Sequence, residues 1–179
     1  GSIFDHELIE QLFNNADLCV NLIGILFEKG KNNFNNIHVE FPKMISRYAS
    51  TYKLEKFVHL SALGIENAKD SIYAQSKLKG EEEILNNFNK AVIVRPSIVY
   101  SVDDNFTTQL MTLLRLLPIF PIYYNGKTKF RPIFCSDLTN SITKIITDDI
   151  EENIIEFVGP EEMSFKEILE KLLSLIEKK

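Results

Sequence analysis

The sequence predicts an α/β fold in which a parallel sheet lies between layers of helices. Three apolar runs rich in strand-forming residues, 16–26, 57–61 and 91–99, alternate with segments whose apolar residues recur at helical spacing. Runs this apolar are typical of parallel strands buried on both faces, because helices cover both sides of such a sheet.

Local signals place the helices of the first hundred residues. Asp5 is a candidate N-cap for a helix over residues 6–13, and Asp70 or Ser71 for one over 72–88. Residues 34–52 have the pattern of a long amphipathic helix, in which Pro42 predicts a kink or a later helix start.

Residues 101–179 predict a small C-terminal α/β extension of the same single domain, with residues 1–100 as its main part. The pattern predicts a helix over 106–117, a turn at Asn125 and Gly126, and a short strand over 130–134. Asp137 is the expected cap of a helix reaching about residue 147. A strand over 154–158 and a last helix, opened by a Ser164–Glu167 capping box, complete the extension.

Composition excludes several functional classes. The net charge of −5 does not favour nucleic-acid binding, and no run approaches the roughly 18 apolar residues of a membrane span. Cys19 and Cys135 lie in apolar runs, which predicts reduced core thiols of an intracellular protein. The three histidines lack metal-ligand spacing, so we predict no metal site. His59 is expected in the core and His38 on the surface.

Tyrosine and lysine four residues apart share a helix face, and this spacing occurs three times. Only Tyr73 and Lys77 lie near the start of a helix that follows a strand ending in a serine, Ser61. Ligands of open α/β sheets bind beyond the carboxyl ends of the strands. We therefore expect Ser61, Tyr73 and Lys77 at one site, and the pairs at 52/56 and 123/127 to have no function. The acidic run 81–83, on the same helix, is interpreted as a solvated face.

This context resembles the short-chain dehydrogenase/reductase superfamily, and more closely its atypical branch that contains the NADPH-binding accessory subunit of respiratory complex I. The resemblance extends over most of the chain, in the segments ADLCVNLIGILFE, HVE, FVHLSALG, YAQSKLKGEE, VIVRPSIVY, RPIFCSDLTNSI and EFVGPEEMSFKEILE.

The resemblance implies a Rossmann-like sheet that binds NADP or NAD. If the protein is active, Lys77 would lower the pKa of Tyr73, Tyr73 would transfer the proton, and Ser61 would orient a carbonyl. The residues expected on the cofactor side are Asn21, Gly24, Ser61, Ala62, Tyr73, Lys77, Pro96, Ser97 and Ile98. For two of these residues a purely structural role is the alternative to cofactor binding. Gly24 would then be a close-packed strand terminus, and Pro96 the bend that ends a strand.

No glycine-rich turn is present, since no two glycines are closer than Gly24 and Gly30. Such a turn and its helix normally hold the pyrophosphate, so the fold is expected to be truncated at its N-terminus, with weak or absent cofactor binding. Strand 16–26 would then present an uncovered edge. Expected partners are complex I subunits or the missing N-terminal half. The expected location is the cytoplasm of a bacterium or the matrix side of a mitochondrion, with peripheral association with the inner membrane as an option.

Three functional hypotheses follow. The first is a cofactor-holding accessory or assembly subunit without turnover, the role that the resemblance implies. The second is an active NAD(P)-dependent reductase or nucleotide-sugar epimerase or dehydratase. The third is a truncated product that binds no cofactor. NADPH turnover with carbonyl or nucleotide-sugar substrates separates the first two.

Overall fold

The computed structural model describes residues 1–102, 104–117 and 119–176. The helices are α1 His6–Phe13, α2 Phe41–Thr51, α3 Ile72–Asn87, α4 Asn105–Leu116, α5 Cys135–Thr147 and α6 Phe165–Leu175. The strands are β1 Leu18–Asn21, β2 Lys56–Leu60, β3 Val92–Pro96, β4 Val99–Tyr100, β5 Lys129–Phe130, β6 Ile133–Phe134, β7 Ile154–Phe157 and β8 Met163–Ser164.

The predicted parallel sheet is confirmed. Four strands lie in the order β1-β2-β3-β7, and β2 pairs in parallel with both β1 and β3. The sheet core is formed by aromatic and branched side chains, among them Phe57 and Ile93, packed against α2 and α3. The first strand is shorter than the predicted 16–26, and β1 lies at one end of the sheet.

By packing, the chain divides into two compact units. The first contains residues 1–95 and 142–156, and the second contains residues 96–141 and 157–179. Residues 142–156 were expected in the C-terminal extension, and they pack with the first unit. The assignment of the chain to a single domain stays a prediction.

Capping explains where the helices of the first unit begin. The Asp5 carboxylate accepts from the Leu8 N–H, and the Ser71 hydroxyl accepts from the Ala74 N–H, so the two predicted caps are present. Pro42 lies in the first turn of α2, directly after the helical segment Asn35–Glu40. The turns before it, Asn35–Glu40, form a π-helix, an uncommon element found mainly at functional sites.

Several predictions for the second unit are wrong. The helix expected to be capped by Asp137 begins two residues earlier, at Cys135, and the thiol of Cys135 is exposed. The single strand expected over 130–134 is two short strands: β5 pairs antiparallel with β8, and β6 pairs in parallel with β4. The capping box of Ser164 and Glu167 is confirmed.

In the part of the chain that the structure describes, no helix has the length and apolar character required to cross a bilayer.

Candidate functional site

The end of β2 places a buried serine hydroxyl in the first unit. The Ser61 N–H donates to the Val94 carbonyl at 2.7 Å, which extends the pairing with β3 by one residue. Its Oγ is buried and has no hydrogen-bond partner among the described residues. An unpaired buried hydroxyl is costly, so Ser61 is suited to receive a polar group from a ligand.

Lys77 is the central cation of the site. Its side chain is buried, and its Nζ donates to the carbonyl oxygen of Leu60, the last residue of β2, at 2.8 Å. Burial lowers the pKa of Lys77 to about 8, and the nearby Glu81 carboxylate acts in the opposite direction. The lysine is therefore bound to the residue that precedes Ser61, at the strand end where ligands of such sheets bind.

Tyr73 lies one helical turn before Lys77, and its ring is half-buried. It meets the rings of His38 and Phe34 edge-on, with centroids 5.3 Å and 5.8 Å away. Burial raises the pKa of Tyr73, which is the opposite of the lowering that a catalytic pair with Lys77 implies. Burial therefore favours the protonated hydroxyl of Tyr73, which can donate a hydrogen bond.

The prediction for His38 is wrong: the residue was expected on the surface, and it is buried, with 2% of its area exposed. Its Nε2 accepts from the Ile25 N–H at 3.1 Å. The Ser76 hydroxyl donates to the Tyr73 carbonyl, so it can accept from His38 Nδ1, 2.9 Å away. The ring also stacks on Phe34 at 5.3 Å. His38 thus connects the segment after β1 to the helix that carries Tyr73 and Lys77.

The pKa of His38 is lowered to about 4, mainly by burial and further by the Lys77 charge. We expect acid to destabilise the protein through this group. The unfolded chain, with an ordinary histidine pKa near 6.5, takes up the proton first. The stabilisation is thus complete above about pH 6.5 and is lost as the pH falls toward 4, by at most roughly 3 kcal/mol.

Urea unfolding at several pH values, compared between the wild type and His38→Gln, measures this effect. The buried His59 is present in both proteins, and His38 is the smallest of the three causes that lower its pKa, so most of its contribution cancels in the comparison. Equal pH slopes for the two proteins would contradict the assignment.

At the end of β1, Asn21 and His59 form a buried pair. The Asn21 amide and His59 Nδ1 are 2.9 Å apart, and Asn21 Oδ1 accepts from the Ile23 N–H at 3.1 Å. Burial lowers the pKa of His59 well below its ordinary value, so the ring is neutral. The prediction that His59 is a satisfied core residue is confirmed.

Gly24 is exposed, and a Cβ placed on it would meet only His38 Nε2, at an ordinary 3.8 Å. The close-packed alternative for Gly24 is therefore wrong. Its place beside a cofactor stays a prediction.

Glu81 lies one turn after Lys77, and it was wrongly interpreted as solvated. Its carboxylate is buried and receives two hydrogen bonds from Arg95, with Nε–Oε1 at 3.1 Å and Nη2–Oε2 at 2.6 Å. Arg95 also reaches Glu66 at 3.4 Å. Glu82 is exposed, as expected of the acidic run.

The remaining predicted site residues are distributed between the two units. Ala62 follows Ser61 in the first unit and is half-buried. Pro96, Ser97 and Ile98 belong to the second unit, where the Ser97 N–H donates to the Phe157 carbonyl and the Ile98 carbonyl accepts from the Ile133 N–H. Their convergence with Ser61, Tyr73 and Lys77 stays a prediction.

The other two tyrosine–lysine pairs have different surroundings. The Tyr52 hydroxyl donates to Glu10 at 3.2 Å, and Lys56 Nζ donates to the Asp148 carbonyl at 2.8 Å. The side chain of Tyr123 lies outside the described residues, so the pair at 123/127 is left as predicted.

Comparison with known proteins shows which sequences this chain resembles. The chain is 27% identical over 172 residues to NADH dehydrogenase [ubiquinone] 1 alpha subcomplex subunit 9, mitochondrial, of Dictyostelium discoideum. That match covers 96% of this chain and 48% of the relative, so the chain spans about half the length of that protein. No protein-family model matches the chain.

Solved structures show the fold. A dTDP-glucose 4,6-dehydratase of Streptomyces venezuelae, with NAD bound, superposes with a TM-score of 0.82 at 17% identity, over all of this chain and 63% of that one. A dTDP-4-dehydrorhamnose reductase of Bacillus anthracis, in complex with NADP, gives 0.79 at 16%, over all of this chain and 70% of that one. The chain therefore has the Rossmann-like fold of the short-chain dehydrogenases/reductases, and it is similar in sequence to complex I subunits.

Proposed function

We propose that this chain supplies the strand-end ligand groups of an NAD(P)-binding protein that holds its nucleotide without turnover. The protein would act as an accessory or assembly subunit of the complex I type. The observation that supports this most is the combination of Lys77, buried and fixed on the Leu60 carbonyl, with a half-buried Tyr73 whose pKa burial raises. Such a pair can hydrogen-bond a ribose through the lysine ammonium and the tyrosine hydroxyl, and burial disfavours ionisation of that hydroxyl.

The other groups of the first unit fit a holding role. The Ser61 hydroxyl lacks a partner among the described residues and can bond a ligand. The His38 contacts fix the segment after β1 against α3, so the ligand-facing backbone is ordered in advance. Similarity to the Dictyostelium subunit supports complex I subunits as the partners. We place the protein on the matrix side of a mitochondrion, or in the cytoplasm of a bacterium, peripheral to the membrane that holds the complex.

An active NAD(P)-dependent reductase, epimerase or dehydratase is the second candidate. It is favoured by the presence of serine, tyrosine and lysine in the order and spacing that the chemistry needs, and by the fold shared with a dehydratase and a reductase. In that case a bound nucleotide would supply hydride, Tyr73 would donate or accept the proton at its hydroxyl, and Ser61 would orient the substrate oxygen.

The test is calorimetric titration with NADPH of the 179-residue chain, alone and supplied with a glycine-rich β-α-β unit in cis or in trans. We expect weak or undetectable binding by the chain alone and clear binding when the unit provides pyrophosphate contacts. In the supplied form, Lys77→Met should weaken binding about 10- to 100-fold, the value of a charged hydrogen bond.

Lys56→Met and Lys127→Met serve as matched controls and should leave the affinity unchanged. Equal affinity of Lys77→Met and the wild type would overturn the proposed site. No binding even with the added unit would favour a product that holds no cofactor. Steady NADPH oxidation with a panel of carbonyl or nucleotide-sugar substrates, lost in Tyr73→Phe, would favour the enzyme.

A further inference from the structure

The second unit contains an apolar pocket of about 410 Å³, lined by α4, α6 and the chain that follows β3. Its inner wall is formed by Met111, Met163, Ile168 and Leu172. The volume is in the range of pockets that bind small molecules. Two methionines in the wall give it adaptable, polarisable surface, which suits flexible apolar ligands.

Some of the polar groups that line this pocket are bound to a neighbouring carboxylate. The Thr107 backbone and hydroxyl both donate to Asp104, and the Ser101 N–H donates to the same carboxylate at 3.1 Å. A ligand with many hydrogen-bonding groups, such as a sugar or a nucleotide, would leave its polar atoms unpaired among these side chains, and that is costly. A hydrocarbon chain needs no such partners and gains by leaving water. The lining therefore favours an alkyl chain.

The mouth of the pocket combines exposed apolar side chains with a charge pair. Val102 is 87% exposed and Leu175 is 73% exposed, so the apolar surface continues outward from the interior. Lys171 and Glu161 also line the pocket, and their ion pair at 3.4 Å is solvated on both sides. Exposed pairs of this kind contribute about 0–1 kcal/mol, so Lys171 can exchange its partner for an anionic head group.

We propose that this pocket binds one alkyl chain of an anionic amphiphile, with the chain among the methionines and the head group at Lys171. A free fatty acid and an anionic phospholipid share this chemistry. The pocket lies entirely within the second unit, and of the residues expected on the cofactor side only Ile98 lines it.

Methionine-methyl NMR provides a direct test. The chain has three methionines, Met44, Met111 and Met163, and Met44 lies in the first unit, packed against the sheet core. On titration with dodecanoate, the Met111 and Met163 methyl signals should shift together with one saturation curve, and the Met44 signal should stay in place. Shifts of all three signals, or of none, would overturn the proposal.

Two leucines with nearly equal exposure supply matched variants. Leu175 at the mouth is 73% exposed, and Leu116 on α4, which does not line the pocket, is 74% exposed. Leu175→Asp should weaken dodecanoate binding about tenfold, because it places a charge where the chain enters. Leu116→Asp should leave binding unchanged. Equal effects of the two substitutions would indicate non-specific adsorption and refute the site.

The same methyl signals test whether Lys171 binds the head group and whether the ligand is a free acid or a bilayer lipid. Lys171→Glu should weaken dodecanoate binding and strengthen binding of dodecyltrimethylammonium, which has the same tail and the opposite charge. Unchanged affinities for both would remove Lys171 from the site. Vesicles of phosphatidylglycerol replace dodecanoate in a parallel titration: shifts of Met111 and Met163 with vesicles alone would identify a bilayer lipid as the ligand, and shifts with dodecanoate would show that a free acid is sufficient.

Discussion

Gly80→Ala is expected to destabilise the first unit by more than about 3 kcal/mol, well beyond an ordinary surface change. Gly80 lies in α3 where that helix crosses the π-helical segment. A Cβ built on it would lie 1.8 Å from the His38 carbonyl oxygen and 3.1 Å from the carbonyl carbon. Both are backbone atoms, so no side chain can rotate away, and the two helical segments must separate.

The sign of the stability change distinguishes a backbone clash from the usual effect of alanine in a helix. In an unconstrained helix, glycine to alanine stabilises by up to about 1 kcal/mol. Urea unfolding of Gly80→Ala measures the change, and Gly24→Ala is the control, since its Cβ would make only one ordinary contact. A stabilised or unchanged Gly80→Ala protein would mean that α3 and the π-helical segment are farther apart than described.

Glu81→Ala is expected to cost about 3–5 kcal/mol of folding free energy. The substitution removes both hydrogen bonds to the Arg95 guanidinium and leaves that cation largely buried. A guanidinium keeps its proton in proteins even without a carboxylate partner, so Arg95 cannot escape the cost by becoming neutral. The exposed Glu82→Ala is the matched control and should change stability by less than about 0.5 kcal/mol.

A double-mutant cycle separates the lost interaction from the buried charge. When Glu81→Met and Arg95→Met are combined, both charges are gone, and the double variant should recover most of the stability that Glu81→Met loses alone. Additive losses in thermal or urea unfolding would show that the two side chains do not act as a pair.

Features that depend on neighbouring residues were predictable from the sequence. The Ser71 cap, the first-turn position of Pro42 and the parallel arrangement of β1, β2 and β3 all follow from signals within a few residues. The C-terminal end of β1 was harder to predict. Residues 22–26 are as apolar as the strand itself, but β2 ends at Leu60 and offers no further backbone to pair with.

Features that depend on distant partners were missed. His38 is buried because Ile25, from the segment after β1, and Tyr73 and Ser76, both from α3, surround it. Glu81 is buried because Arg95, 14 residues later, lies opposite to it. One signal was available: Tyr73, Lys77 and Glu81 are spaced four apart, so the first acid of the run lies on the site's helix face and not on the solvent face.

The lowered pKa of Lys77 couples ligand occupancy to the proton concentration. With a pKa of about 8, a measurable fraction of the buried amine is neutral at the pH of a mitochondrial matrix or a bacterial cytoplasm. A ligand that hydrogen-bonds the ammonium form, or brings phosphate charge near it, raises this pKa and takes up part of a proton as it binds. If the chain holds a nucleotide as proposed, its affinity for that nucleotide falls as the pH rises through the pKa of Lys77.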